Sequence, residues 1–270
     1  LTSLNSSSLS VLYTYKSAIN SYLIFATDKQ NFTLGLLELE KINQNDLLEC
    51  INKVTETLQF ITEKEYYEIL TKVDEKTGEN IGNYQDKLVI LLLWNKIKGK
   101  SQFSDLLSLR KSNVDLQNKT IKFKDRTIKL TDIESNIVEK AINEQTYVRS
   151  TMDKKGFINK ARVDYLDGDY LVKATAGSTN MEVDNNQCTY GTFANRMSKY
   201  YNIVLQRNGL TNQRVYKSSV YYHMLKEYGR KLTLSELAKY LKENDEKVSL
   251  SNMYREQDVM FEKMEEQGEI

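Results

Sequence analysis

The run Ser101-Gln102-Phe103-Ser104-Asp105-Leu106-Leu107-Ser108-Leu109-Arg110, together with the twenty residues after it, constrains this chain more than any other stretch. The run itself predicts a helix. After it come Val114-Asp115-Leu116 and two short segments, Lys119 to Lys124 and Arg126 to Leu130, in which apolar and basic residues alternate. A period of two places Ile121, Phe123 and Ile128 inward and Lys122 and Lys124 outward, the pattern of a half-buried antiparallel hairpin. A further helix is expected over Thr131 to Glu144. Helix, hairpin and helix in this order imply a mainly α chain with a small antiparallel β-sheet, an α+β arrangement.

Upstream, Leu9 to Ala26 carries a broad apolar stripe at helical spacing, and shorter helical patterns occupy Leu34 to Leu39 and Asp46 to Thr57. Thr62 with Glu65 three residues later reads as a capping box that opens a helix over Glu63 to Lys72. The chain is therefore divided near residue 58, into a helical domain over 1–57 and a second domain over 58–270. Within the second domain, Asp74 to Gly82 is polar and glycine-containing and is expected as an exposed loop. Tyr84 to Ile97 reads as a buried helix. Residues 149–187 are expected to be irregular, with a strand near Tyr170 to Val172. Helices are expected again at Thr189 to Arg207, Asn212 to Tyr228, Thr233 to Lys242 and Ser249 to Met264.

A length of 270 residues allows one large core or two modest ones. No apolar run approaches the length of a bilayer span, and Leu1-Thr2-Ser3 has neither the basic region nor the apolar core of a signal peptide. The missing initiator methionine points to trimming or to an incomplete start. Cys50 and Cys188 are far apart without metal-ligand spacing, and the single histidine, His223, is the only conceivable companion; two reduced core thiols and no metal are expected. The absence of proline, with abundant Lys, Asn, Ile and Tyr, suits an AT-rich coding sequence such as that of a low-GC bacterium or its phage.

The formal net charge is only +1, but the charge is segregated. Residues 31–80 carry 5 basic and 11 acidic side chains, and the tail 255–270 carries 2 basic and 6 acidic. Residues 91–130 carry 10 basic and 3 acidic, and residues 191–231 carry 8 basic and 1 acidic. Two cationic stretches in one domain suggest a surface that faces phosphate.

The 101–130 block resembles the helix-then-hairpin signature of the tyrosine recombinase, or phage integrase, family. The resemblance implies a recombinase-like catalytic domain preceded by a helical core-binding (SAM-like) domain. It also implies a site in which a tyrosine attacks a DNA phosphate, two arginines neutralise the developing charge, a lysine protonates the leaving oxygen and two histidines assist. Where the family carries its first arginine this chain has Gln102. Val215 to Leu225 resembles the family's leucine-arginine-histidine-threonine helix; on that match Lys217 replaces the second arginine and Arg214 the first histidine. Glu236 to Glu243 resembles the segment that ends in leucine-glycine-histidine, so Glu243 replaces the second histidine. Tyr254 falls at the nucleophile position, and Lys122 or Lys124 at that of the lysine.

These replacements remove chemistry. Gln102 has no positive charge, Lys217 loses the bidentate fork, Arg214 cannot act as a base, and Glu243 opposes an anion. Each lost transition-state donor costs on the order of 100- to 1000-fold. The expectation is a DNA-binding protein of integrase fold without recombinase activity, a prophage repressor that maintains lysogeny by clamping operator duplex. Its DNA contacts are assigned to Lys122, Lys124, Arg126, Lys154, Lys155, Arg214, Lys217, Arg230 and Lys231. No cofactor and no membrane are expected; self-association or a small protein or peptide modulator is the further partner class, and the place is the bacterial cytoplasm, at the nucleoid. Two alternatives stay open: an active, divergent integrase using Tyr254 with arginines such as Arg110 or Arg196, and an accessory architectural protein at a recombination or partition site.

Overall fold

The computed structural model describes Thr14, Ser17, Ala18, Ser21 and residues 60–270, except 75–76, 100, 154–155, 177–185 and 245–247. By its contacts the chain divides into Leu1–Thr57 and Leu58–Ile270. In the first unit the four described residues are helical and exposed; the helices expected at 34–39 and 46–57 lie outside the described residues. The second unit holds all the elements numbered from α1.

Local signals in the sequence set many helix starts. Thr62 accepts a hydrogen bond from the Glu65 amide and Glu65 accepts one from the Thr62 amide, and this capping box opens α1, Glu63–Thr71. Helix α2, Tyr84–Trp94, is buried over ten of its eleven residues. An element that is apolar on every side belongs at the centre of the core, and α2 packs against both flanking helical layers. Its first turn carries three buried polar residues, each engaged in its own way. The Gln85 amide donates to the carbonyls of Ala141 and Leu171. Asp86 pairs with Arg196 at 3.0 Å. Lys87 donates to the carbonyls of Leu70 and Lys72 and to Asn80.

The helix expected over Ser101 to Arg110 is shorter in the structure. It is α3, Ser104–Ser108, preceded by left-handed Gln102 and Phe103. Gly99 makes this entry possible: its φ is +98°, and a Cβ there would lie 2.5 Å from the Asp105 amide nitrogen. A three-stranded antiparallel sheet comes next, with β1 (Val114–Asp115), β2 (Thr120–Phe123) and β3 (Arg126–Lys129) in that order. Ile121 pairs with Ile128 and both are buried, as the alternation predicts. Helix α4, Asp132–Asn143, opens on a second capping box, Thr131 with Glu134.

The largest departure from the sequence expectation lies in 146–164. A seven-residue hairpin, β4 (Thr146–Met152) with β5 (Ile158–Asp164), stands where irregular chain is expected. Six of the seven β5 residues are exposed, so neither face of that strand imposes an apolar alternation. Tyr170 makes only an isolated bridge to Arg110, and the strand expected at Tyr170 to Val172 does not form.

Helix α5, Tyr190–Lys199, passes into a π-helical turn at Tyr200–Val204. Helix α6 has the expected bounds, Asn212–Tyr228; it starts on Thr211 and stops on left-handed Gly229. Helices α7, Leu234–Glu243, and α8, Leu250–Glu266, close the unit. The end of the unit returns to its start: buried Lys263 donates to the Phe60 carbonyl and pairs with Glu65 at 2.6 Å. The fold class is mainly α with small antiparallel sheets. No described helix is long and apolar enough to cross a membrane.

Candidate functional site

Arg214, Lys217 and Tyr221 recur at i, i+3 and i+7 on α6 and therefore share one face. That face meets α8, and between them lies the carboxylate of Glu256, which is 3% exposed. Lys217 Nζ donates to Glu256 Oε2 at 2.7 Å and Tyr221 Oη to the same oxygen at 2.6 Å. Arg214 Nη1 donates to Oε1 at 3.0 Å, and Arg255 approaches that oxygen at 3.4 Å. The Arg214 guanidinium also lies over the Phe60 ring, 4.9 Å from its centroid.

Both oxygens of one buried carboxylate thus receive the donors that the sequence assigns to a DNA phosphate. Burial alone pushes the Glu256 carboxyl up, but the hydrogen bonds from Lys217 and Tyr221 and the charges of Lys217 and Arg214 outweigh it, and the net shift is downward. Burial and this same carboxylate hold the Tyr221 hydroxyl far above its ordinary value.

Arg214 and Lys217 therefore do not stand as exposed phosphate contacts. They share a face as expected, but that face is turned into the protein, and Lys217 is buried. Glu243 is not the acid beside them: it is exposed at the end of α7, and its ion partner is Lys239 on its own helix. The acid beside them is Glu256. Tyr254 is 50% exposed on the same helix. Two residues along an α-helix are about 200° apart around its axis, so Tyr254 leaves α8 on the side away from Glu256.

The remaining assigned residues divide by their partners. Gln102 is exposed in its left-handed turn. Lys124 pairs with Asp105 at 2.5 Å, and Arg126 donates to the carbonyls of Asn95 and Lys96, which ties the β2–β3 turn to the end of α2. Arg230 forms a two-pronged pair with Glu236, and that contact holds the Glu236 carboxyl down to about 2. Lys231 pairs with Asp258 at 3.0 Å. Lys154 and Lys155 lie outside the described residues. Of the alternative arginines, Arg196 is buried against Asp86, and Arg110 lies over the Tyr170 ring and 4.0 Å from Asp169.

Lys122 is exposed and forms no close ion pair among the described residues, although its charge helps to hold the exposed Asp115 carboxyl down after the Asn118 hydrogen bonds. The same absence of a close ion pair holds for Arg149, Lys160, Arg162 and Lys199. The sequence alone leaves these four unassigned, because no alternation reveals the hairpin that displays three of them. Register places Lys160 opposite Ser150 and Arg162 opposite Val148, on one face of the ribbon. That face borders a cavity of about 700 Å³ whose other walls include Asp74 and Glu79. No group of His, Cys, Asp or Glu among the described residues could hold a metal. Cys188 is a buried free thiol, pushed up by burial.

No curated protein matches this chain. The family model described as the C-terminal catalytic domain of MrpR matches residues 60–260, most of the chain and nearly all of its second unit. The chain thus belongs to the MrpR C-terminal catalytic domain family, a family of tyrosine-recombinase-like integrase domains.

Proposed function

We propose that this chain binds double-stranded DNA through an integrase-like domain, does not cut it, and regulates transcription as a prophage repressor. The observation that carries the loss of cleavage is the Glu256 carboxylate, which pairs with Lys217 and Arg214 while Tyr254 leaves the helix on the other side. A phosphate entering beside Lys217 would meet a buried negative charge in its place, and the candidate nucleophile would not face it. Gln102 adds no cation to compensate. DNA binding rests on Lys122, Lys160 and Arg162, exposed cations on two hairpins that form no close ion pair among the described residues. Backbone phosphate contacts of this kind supply affinity on any sequence.

The test is a gel shift with genomic fragments beside cleavage of a nicked suicide substrate, then a reporter placed downstream of the bound fragment. Salt-sensitive retardation, no covalent adduct and reduced reporter output are expected. Retardation without any effect on the reporter would favour the accessory architectural role. The integrase reading has two observations in its favour, the match to a family model described as a catalytic domain and the solvent exposure of Tyr254, and a phosphotyrosine-linked adduct would establish it.

A further inference from the structure

We propose that a small cavity between β4 and α5 is a binding site for a phosphate group. The cavity measures about 160 Å³. A water molecule takes about 30 Å³ of liquid volume, so one tetrahedral oxyanion fits with a few waters. One wall is a single helix face, since Thr192, Asn195, Arg196 and Lys199 of α5 have the spacing i, i+3, i+4, i+7. The opposite wall carries Arg149 of β4, and Thr175 closes a side. None of the described lining residues is acidic.

Arg196 points to the ligand. Its residue is 4% exposed, and its guanidinium is only partly used. Nε lies 3.0 Å from Asp86 as an ion pair without hydrogen-bond geometry, Nη1 donates to the Lys173 carbonyl at 3.0 Å, and Nη2 is buried without an acceptor. Buried guanidinium nitrogens are rarely left in that state, and an oxygen of a bound anion supplies the missing acceptor. Asp86 balances the charge of Arg196, so the excess positive charge of the cavity comes from Arg149 and Lys199, neither of which pairs with a carboxylate among the described residues. The Thr175 and Thr192 hydroxyls and the Asn195 amide add neutral donors around the same space. A planar fork, an ammonium group and hydroxyl donors form a phosphate set rather than a cation or apolar-ligand set.

The site does not depend on the DNA-binding reading, because the phosphate group can be a backbone phosphodiester or part of a small free compound. Its test is isothermal titration of inorganic phosphate into the full chain, with chloride at matched ionic strength as the control. Phosphate-specific binding by the parent, weakened at least about tenfold in the R149A/K199A double variant, is the expected result. Arg149 is exposed and Lys199 half-buried, and an unchanged circular dichroism spectrum checks that the variant folds. No phosphate-specific heat in the parent, or equal affinity in parent and variant, would overturn the proposal. Once binding is seen, duplex DNA that displaces phosphate assigns the site to the backbone phosphodiester. Duplex that binds the chain and leaves phosphate affinity unchanged assigns it to a small phosphate compound.

Discussion

The Glu256 carboxylate lies 2.7 Å from the Lys217 ammonium, and both groups are buried. A buried ion pair of this kind is asymmetric in its energetics. Its formation gains little over an apolar pair, but removing one partner strands the other charge out of water. Glu256→Gln leaves Lys217 and Arg214 without their counter-charge, and the loss expected from equilibrium urea unfolding is about 3–5 kcal/mol. A variant as stable as the parent would show that the pair is open to water.

The sign of the Glu256 shift gives a pH prediction for the same pair. Its folded-state carboxyl is depressed below the ordinary value of 4.5. The contribution is therefore complete above that value and disappears as pH falls below it through the lower, folded-state value. Stability measured from pH 6 down to pH 3 should fall less steeply in Glu256→Gln than in the parent. Parallel curves would remove Glu256 as a source of acid sensitivity.

Arg214 and Lys217 are structural before they are anything else. Replacing both with Ala should lower the melting temperature by several degrees, because the variant strands Glu256 in the core and removes the stack of Arg214 on Phe60. Below the lowered midpoint the variant stays folded and should keep most of its DNA binding. A double variant that keeps the parent's melting temperature and still loses DNA would reinstate these residues as direct phosphate contacts.

What the sequence makes legible here is local. Thr62 with Glu65, Thr131 with Glu134 and Thr211 before α6 mark helix starts within four residues, and Ile121 opposite Ile128 is a consequence of alternation. The β4–β5 ribbon leaves no comparable trace, because nearly all of β5 faces solvent and its side chains answer to no core. The site is harder still. Lys217 and Glu256 are 39 residues apart, and nothing in either segment names the other. The charge count misleads for the same reason. Residues 191–231 are strongly basic in sequence, but Glu65, Asp86, Glu236, Glu256 and Asp258 fold onto their arginines and lysines. Except for Glu236, six residues from Arg230, these counter-charges lie far from their partners along the chain.

The exposed cations should separate from the paired ones in binding assays. Ala at Lys122, Lys160 and Arg162 should weaken duplex binding on every sequence and flatten the salt dependence by roughly one unit per phosphate contact removed. Lys124→Ala should do less, because Asp105 already engages that ammonium group. Equal effects from Lys122 and Lys124 would mean that the Asp105 contact opens when DNA arrives.

Tyr254 decides between regulator and enzyme. Its ring is half exposed, and it leaves α8 on the side away from Glu256 and the cations that Glu256 holds. If the hydroxyl performs no chemistry, Tyr254→Phe removes at most one hydrogen bond to DNA. Affinity should then change by no more than about 1 kcal/mol, and repression of a reporter should persist. Neither the parent nor Tyr254→Phe should become covalently joined to a nicked substrate. Gln102→Arg, Arg214→His, Lys217→Arg and Glu243→His together should still give little cleavage, since Glu256 remains in the pocket and active geometry needs its supporting residues. Adding Glu256→Gln to that set removes the internal negative charge, and cleavage appearing only then would identify the carboxylate as the block. An adduct on Tyr254 in the unmodified chain would instead show that α8 rearranges on DNA, and the protein would be a recombinase.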